Sequence, residues 1–408
     1  MPQNFESAVA HLTPEQLNQL IAEYYAGKKI NDLLSKYGVK CSGGNLYKAF
    51  PPEVCADSLC PYCDVPMHLD RSSRSALACS WRREDRHCPA CGHRDNPDCS
   101  CRNCRAVIEM DRRKAVDTQR KLINAFCQSI QLTPRVRVSV AEMSLFEAVA
   151  LLTLARACTI LDKPDSNGNV VLGPLENATP PMAPGNEFAV DLVDQLMGFK
   201  LISIADSSSV GAFEYEEGKL AGYFNFRVNW ALTVEEPLLL LEEIEKLAAN
   251  PEKWPEAWHQ DTSQLWRDIA LEECKEYFAC VAEERGFPPA GATSTEAMLK
   301  NILNDYSVGQ CYRIIYMGAQ HAADFLVRKQ CTRMHAANYM IGATQRWADR
   351  ARAEKWEVGH FRRRFNLPRS VLSHVFFDVF LGIGEKGFTE VPPLQPPGQD
   401  EPACQKHE

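Results

Sequence analysis

The sequence predicts a mainly α-helical fold with a small β component. Apolar residues recur at helical spacing through most of the C-terminal half, for example in QCYRIIYMGAQHAADFLVRKQ from Gln310. Capping-box patterns at residues 13–16 and 293–296 mark two helix starts. The clearest strand pattern covers residues 223–230, where apolar and polar side chains alternate. Helices are therefore expected to form most of the chain, and strands a minor part.

Charge is unevenly distributed along the 408-residue chain, whose net charge is −8. Residues 70–121 carry 13 basic against 8 acidic side chains, 235–285 carry 14 acidic against 5 basic, and 328–369 carry 11 basic against 3 acidic. These blocks indicate separate interaction surfaces or, alternatively, ordinary solvated helix faces. The N-terminus does not have the pattern of a signal peptide, and no apolar run reaches the roughly 20 residues of a membrane span. A cytoplasmic protein outside the membrane is expected.

Residues 1–57 are predicted to form three short helices that share an apolar face. The first begins at the capping box of Thr13, the second covers residues 30–37, and the third covers residues 42–50. Three short helices of this kind resemble a bacterial helix-turn-helix module. A small helical cap, packed on the module that follows, is the alternative.

The helix-turn-helix resemblance implies a recognition helix at the third position. That helix would enter the major groove, and Asn45 and Lys48 would contact bases or phosphates. The sequence departs from the pattern at Gly43 and Gly44, because two glycines weaken the start of a helix.

Residues 58–110 hold a dense group of cysteines, in a chain whose 17 cysteines include ten before residue 105. In a reducing compartment, clustered cysteines at short spacing indicate metal ligands rather than disulfides. Two C-x-x-C turns, separated by 24 residues, can place four sulfurs around one tetrahedral zinc ion. These ligands are Cys60 and Cys63 (the first pair) and Cys88 and Cys91 (the second pair). The CPxC…CPxCGH pattern resembles a zinc ribbon, which implies a small β-finger between the pairs.

Three further thiols follow the second pair: Cys99, Cys101 and Cys104. They can complete a second site with one of three residues: Cys79, His87 or His93. A competing arrangement joins the second pair to Cys101 and Cys104 and leaves the first pair with Cys79 and His87. The sequence leaves both arrangements open and predicts one or two Zn²⁺ ions. All-thiolate sites have no open coordination position, so the metal is expected to be structural.

Arginines are concentrated around these ligands, namely Arg82, Arg83, Arg86, Arg94, Arg102 and Arg105. They are predicted to bind phosphates or to offset the negative charge of the thiolates. Arg71 and Arg74 lie further from the ligands in sequence, which favours nucleic-acid contact for these two residues.

Residues 111–135 are predicted to form a charged linker helix, and residues 136–235 a small α+β domain. The elements expected in that domain are helices at 143–160 and 187–197, followed by two strands. The first strand segment contains a turn at residues 217–218, and the second covers residues 223–230. Helices followed by a hairpin resemble a winged helix. The alternative is a domain used only for packing, since two glutamates at the hairpin tip would repel phosphate.

Residues 236–390 are predicted to form a helical bundle, in which His321 and His335 are packed or surface residues. The stretch HFRRRFNLPRSVLSHVF, residues 360–376, resembles the helix-turn-helix of resolvases or homeodomains. That resemblance implies Phe361 and Phe365 in the core, and a basic helix hairpin on the bundle surface is the alternative. The implied nucleic-acid contacts are Arg362, Arg363, Arg364, Arg369, Ser370 and His374. The polar, Pro-rich tail, residues 391–408, is expected to be disordered.

These modules together favour a zinc-stabilised DNA-binding protein, with RNA as the other possible nucleic acid. It would act as a transcription regulator or as the targeting subunit of a mobile-element or defence system, and its helical half would bind a protein partner or a second DNA segment. A protein–protein adaptor that docks through the zinc ribbon is the alternative. The sequence has no Walker loop, HExxH motif or nucleophile elbow, so an enzyme is the less favoured class. No pattern indicates an oligomeric state.

Overall fold

The structure is a computed structural model that describes residues 5–77, 85–130 and 135–393. Among the described residues, helices account for 55% and strands for 9%, and the strands form small antiparallel sheets. The predicted mainly α fold with a small β component is therefore confirmed. Several residues of the sequence predictions lie outside the described part, namely Cys79, Arg82, Arg83 and nearly all of the C-terminal tail.

The chain divides into two compact units, Met1–Thr118 and Gln119–Glu408, and the finer division into six parts stays a prediction. The first unit begins with two short helices. Helix α1 (Pro14–Tyr25) starts at the predicted capping box of Thr13, and helix α2 (Ile30–Tyr37) ends at a left-handed Gly38. Their apolar faces meet in a small core that contains Leu20, Tyr24, Leu33, Leu46 and Phe50.

The third predicted helix of this unit is a 3-10 helix, Gly43–Ala49, rather than an α-helix. Leu46 and Ala49 are buried three residues apart, which is the repeat of a 3-10 helix. Two glycines at the start disfavour an α-helix, and Pro51 and Pro52 prevent its continuation. The expected recognition helix is thus only seven residues long.

A three-stranded antiparallel sheet of order β1-β2-β3 follows the helices. Its strands are β1 (Glu53–Leu59), β2 (Pro66–Leu69) and β3 (Arg86–His87), and a short helix, α3 (Arg74–Leu77), lies between the last two. The first cysteine pair occupies the turn between β1 and β2. The second pair follows β3, where His87 pairs with Arg94 across the turn. Strands β2 and β3 therefore lie in the segment predicted as a β-finger.

Helix α4 (Arg102–Ile130) has 29 residues and begins nine residues before the predicted linker helix. The earlier start was not predicted because cysteine is not among the residues preferred at the N-cap, the position that Cys101 occupies here. The Cys101 carbonyl accepts the Arg105 N–H at 3.0 Å, which is the first bond of the helix. Residues 105–118 are exposed, whereas Ile123 and Cys127 are buried in the core of the second unit.

The second unit opens with an α+β part. Helix α5 has apolar residues on all sides. It begins at a capping box of Ser144 and Glu147, which was not predicted. One antiparallel sheet has the order β4-β8-β5, and β6 and β7 form a separate hairpin. The elements, in chain order, are α5 (Leu145–Ala157), β4 (Val171–Leu172), α6 (Asn186–Gly198), β5 (Ile202–Ile204), β6 (Phe213–Glu216), β7 (Lys219–Tyr223) and β8 (Trp230–Leu232).

The predicted hairpin turn is confirmed, and the strand predicted after it is wrong. Glu217 and Gly218 have φ values of 49° and 77°, as a two-residue hairpin turn requires. Residues 224–229 then form a turn, in which the Arg227 N–H donates to the Phe224 carbonyl at 2.8 Å. The alternation that suggested a strand arises because several apolar side chains of this turn point toward the same core.

The rest of the second unit is helical, as predicted. Its helices are α7 (Pro237–Ala248), α8 (Glu256–Glu284), α9 (Ala292–Ile302), α10 (Val308–Lys329), α11 (Arg333–Ala353), α12 (Val371–His374) with a π-helical turn (Val375–Phe380), and α13 (Lys386–Thr389). Helices α10 and α11 approach closely at Gly318, where a Cβ atom would collide with Thr344. The capping box predicted at Thr293 is wrong, because α9 begins at Ala292 with Gly291 as its N-cap, so that Thr293 lies inside the helix.

The helix-turn-helix predicted over residues 360–376 is wrong in its first half. No helix lies between α11 and α12, a stretch that the structure describes completely. Phe365, predicted to face the core, is fully exposed. Only the second half is helical, starting where the Ser370 hydroxyl accepts the Ser373 N–H at 3.1 Å.

Candidate metal centre

The first and second cysteine pairs converge on one point, and together they form the first group of ligands. The Sγ atoms of Cys60, Cys63, Cys88 and Cys91 all lie within 4.8 Å of one another. Cys60 and Cys88 are buried, and Cys60 is 3.7 Å from Cys91. Four thiols at this separation can hold a tetrahedral zinc ion, for which Zn–S bonds are about 2.3 Å long. The four cysteines of the pairing predicted first thus lie together, and the competing arrangement is not formed, since Cys101 and Cys104 lie in a separate group.

The two C-x-x-C turns have the same backbone geometry. The Cys60 N–H donates to the Val65 carbonyl at 2.9 Å and the Cys88 N–H donates to the His93 carbonyl at 2.7 Å. In each turn, the residue after the second cysteine has a positive φ: 55° at Asp64 and 69° at Gly92. Such a left-handed residue is favoured for Gly and tolerated by Asp. This reversal directs both sulfurs of a pair to the same side.

A second group of ligands consists of His93, Cys99, Cys101 and Cys104, again within 4.8 Å of one another. His93 Nδ1 lies 3.4 Å from the Sγ of Cys99 and 3.2 Å from the Sγ of Cys104. Of the three proposed fourth ligands, the structure brings His93 to this group. His87 lies on β3 instead, 3.9 Å from Asp70. The sequence and structure thus agree on two groups, each of which can hold a zinc ion.

Backbone N–H groups favour the thiolate form that zinc requires. The Arg94 N–H donates to Cys99 Sγ at 3.1 Å, and this bond is the main reason that the pKa of Cys99 falls to about 6. Burial raises the pKa of Cys88, yet the N–H groups of Cys91 and Ala90 outweigh it and bring the pKa to about 7. A thiol that ionises near neutral pH is a better metal ligand.

The N-terminus of α4 contributes in the same way to the second group. The Cys104 N–H donates to Cys101 Sγ at 3.4 Å, so that a cysteine sulfur occupies the place of a capping oxygen. The positive end of the helix dipole stabilises a thiolate at this position. The start of the helix and the geometry of the second group are therefore mutually dependent.

Tyr62, which the sequence analysis overlooked, connects the two groups. It lies between Cys60 and Cys63, but its hydroxyl is 3.4 Å from Cys104 Sγ and its ring packs edge-on against His93 at 5.1 Å. The hydrogen bond with Cys104 raises the pKa of the Tyr62 hydroxyl to about 12, so the tyrosine remains protonated and can donate to Cys104 Sγ when a metal ion holds this sulfur as a thiolate. The feature of the sequence that could have indicated this contact is an aromatic residue inside a C-x-x-C turn.

Arg71 and Arg74 form contacts within the first unit. Arg71 Nε donates to the Pro51 carbonyl at 3.1 Å. Arg74 donates to the Lys28 carbonyl at 2.8 Å, and its guanidinium lies 4.6 Å from the centre of the Tyr24 ring. Both side chains thus contact backbone carbonyls of the first unit, which accounts for them without a nucleic acid.

Other predicted nucleic-acid contacts differ in exposure. Arg86 is half-buried on β3, and Lys48 is exposed. Asn45 donates to the Ser42 hydroxyl at 2.9 Å. Arg94, beside the second group, is exposed and pairs with Asp85 at 2.8 Å. Binding of nucleic acid by these residues stays a prediction.

The predicted contacts in residues 360–376 mostly belong to ion pairs of the second unit. Arg363 pairs at 2.9 Å with the buried Glu273, and Arg369 pairs at 2.6 Å with Asp378. The remaining members have similar roles: Arg364 pairs with Glu284, His374 pairs with Asp378, and Ser370 caps α12. Arg362 is exposed. This arrangement favours stabilisation of the loop over contact with a nucleic acid.

Comparison with protein-family models, with curated protein sequences and with solved structures finds no match. The zinc-ribbon and helix-turn-helix resemblances therefore stay expectations. Within the described part of the chain, none of the helices combines the length and the hydropathy that a membrane crossing requires.

Proposed function

We propose that this protein binds nucleic acid through a surface formed by its metal centre and the start of α4, and that zinc stabilises this surface. The supporting observation is the position of the second group at the N-terminus of an exposed helix. Residues 102–118 carry five basic and three acidic side chains, and the five basic ones are exposed: Arg102, Arg105, Arg112, Arg113 and Lys114. A fixed row of cations of this kind suits a phosphate backbone.

Charge also separates the two units. Residues 1–118 contain 16 basic and 15 acidic side chains, whereas residues 119–408 contain 29 basic and 38 acidic ones. A polyanion would thus be repelled less by the first unit than by the second. DNA is the proposed ligand. The protein would act as a transcription regulator or as a targeting subunit.

The test is retention of the full-length, zinc-loaded chain on duplex DNA across a series of salt concentrations. Affinity is expected to fall steeply with salt, because each phosphate contact releases a counterion. Reversal of charge at Arg102 and Arg105 should weaken binding at all salt concentrations and reduce the salt slope. A matched control reverses Lys29 and Lys40, which are exposed on the helical part of the same unit. Equal loss with the control pair would contradict the proposal.

A protein–protein adaptor is the second candidate, favoured by exposed apolar side chains on the same helix. Ile108 is 63% exposed and Met110 is 47% exposed. If DNA retention is absent, while Ile108→Ser and Met110→Ser abolish a complex isolated with the wild-type chain, the adaptor function replaces nucleic-acid binding.

A further inference from the structure

A pocket of about 330 Å³ lies in the second unit, on helices α10 and α11. This volume is within the range of small-ligand sites, about 300–1,000 Å³. Its lining combines the aromatic rings of Tyr339, Trp347 and Trp356 with the guanidinium groups of Arg346 and Arg350. His321 and Ala343 complete the lining. Five of these residues lie on one face of α11. None of them belongs to the metal centre.

The end of α11 positions one wall of this pocket. The Trp356 N–H donates to the Ala351 carbonyl at 2.9 Å and the Lys355 N–H donates to the Arg352 carbonyl at 3.2 Å. This is a Schellman motif, in which Lys355 takes the left-handed conformation with φ of 55°. The chain therefore folds back, and Trp356 packs edge-on against Trp347 with ring centres 5.4 Å apart.

Tyr339 and Arg346 of the lining belong to a cluster of planar groups. Phe325, outside the lining, and Tyr339 are parallel, with ring centres 4.0 Å apart. The Arg346 guanidinium lies 4.9 Å from the centre of the Tyr339 ring. Gly342, one turn before Arg346, leaves room for this position, since a Cβ atom there would lie 3.0 Å from the guanidinium. Stacked arginine and aromatic planes are the surfaces on which nucleobases stack.

The charge of the pocket favours an anion. Among the described residues, no carboxylate forms an ion pair with Arg346. Arg350 pairs with Glu354 at 2.8 Å, and its guanidinium also lies 5.4 Å from the Trp356 ring. The Arg346 guanidinium is thus available for a phosphate, in a site that also contains three aromatic rings, Tyr339, Trp347 and Trp356.

We propose that this pocket binds a nucleotide, with the base stacked on the aromatic and guanidinium planes and the phosphate held by Arg346. The nucleotide is either a free mononucleotide or an unpaired nucleotide of a single strand, because both present the same base and phosphate. This inference does not depend on the metal centre, which lies in the other unit.

The experiment measures binding of adenosine monophosphate, and separately of a single-stranded oligonucleotide of roughly 12 nucleotides, to the full chain by calorimetry. Arg346→Ala and Trp356→Ala are each expected to weaken binding by about tenfold or more, which is the effect of losing one stacking or phosphate contact. Trp356→Phe, which retains a ring, should keep most of the affinity. The control is Arg328→Ala, an exposed arginine of α10 outside the pocket.

Each outcome has a defined meaning. Binding of adenosine monophosphate that depends on Arg346 supports a mononucleotide pocket. Binding of the oligonucleotide alone, with the same dependence on Arg346, supports a single-strand site. Absence of binding by both probes, or binding that both alanine variants leave unchanged, overturns the proposal. The same titration after zinc chelation separates the two proposals, since pocket binding should persist when any duplex binding by the metal centre is lost.

Discussion

The two units of this chain are stabilised by different means. The second unit has one large apolar core with fully buried aromatic side chains, among them Trp230, Trp258 and Tyr312. Among its described residues, the first unit has a core of ten residues under its helices and another of three, two of which are the cysteines Cys60 and Cys88. A segment with so little apolar burial requires another source of free energy. The two groups of ligands can supply it by holding zinc ions, whereas apolar burial stabilises the second unit.

Removal of metal should break the first unit and leave the second intact. Structural zinc contributes on the order of 10 kcal/mol, more than the few apolar residues around the ligands can replace. After chelation, amide hydrogen exchange measured by mass spectrometry should show lost protection in residues 53–105 and retained protection in Glu256–Glu284. Uniform loss in both segments would mean that the units do not differ in this way.

Single ligand substitutions should separate the two groups. Cys101→Ser is expected to reduce the zinc content from two ions to one, because it removes a ligand of the second group only. Cys88→Ser should remove the first ion and also weaken binding of the second. Cys55→Ser is the matched control, since this cysteine of β1 belongs to neither group. Metal analysis of the purified variants measures the outcome, and a wild-type content of one ion would contradict the two-site arrangement.

In the second unit, the largest effect of a charge deletion is expected at the buried ion pair of Arg363 and Glu273. The Glu273 side chain is only 4% exposed, and its carboxylate also accepts the Ser373 hydroxyl at 2.7 Å. Arg363→Met leaves this charge buried without its partner and should cost about 3–5 kcal/mol.

Urea unfolding, monitored by the fluorescence of the second unit's tryptophans, measures this cost. Glu273→Met combined with Arg363→Met should recover most of the stability, since no unpaired charge remains. If the double variant is as unstable as the single one, loss of packing rather than an unpaired charge is the cause.

A smaller effect is expected from Tyr62→Phe, which removes one hydroxyl from the contact between the two groups of ligands. The loss of one hydrogen bond to Cys104 Sγ should weaken metal binding by the second group. Competition with a chelator should therefore remove the second ion earlier in the variant than in the wild type, with the first ion unchanged. An equal shift for both ions would show that Tyr62 acts on overall folding.

The smallest effect concerns Glu296 in the second unit. Hydrogen bonds from Lys300 and Lys275 lower the pKa of the Glu296 carboxyl from 4.5 to about 2. The stabilisation is therefore complete above pH 4.5 and is lost as pH falls toward 2. Since the side chain is 38% exposed, solvent screening limits it to less than about 1 kcal/mol. Glu296→Gln should destabilise at pH 7 and have no effect at the acid end of a urea-unfolding series, with the exposed Glu252→Gln as control.

The sequence was most informative where covalent spacing determines geometry. The first group of ligands and the turn at residues 217–218 were predictable because each depends on a few consecutive residues. The fourth ligand of the second group was not, since three candidates, Cys79, His87 and His93, precede Cys99 and nothing in the sequence chooses among them. Residues 224–229 were mistaken for a strand because a turn over a core can reproduce a period-two pattern. The basic stretch at 360–376 was mistaken for two helices, because its arginines pair with distant acidic residues such as Glu273 and Glu284.

A single glycine, Gly92, separates Cys91 of the first group from His93 of the second. An ion bound by the cysteines restrains the same backbone from which the imidazole projects, and Tyr62 reinforces this restraint from the other turn. Occupancy of the two positions should consequently be ordered, because an ion at the first position makes the second position easier to fill. As zinc becomes scarce, the second position would empty before the first. Scarcity of the metal would thereby release the start of α4 first, and the turns of the first group only at lower concentrations.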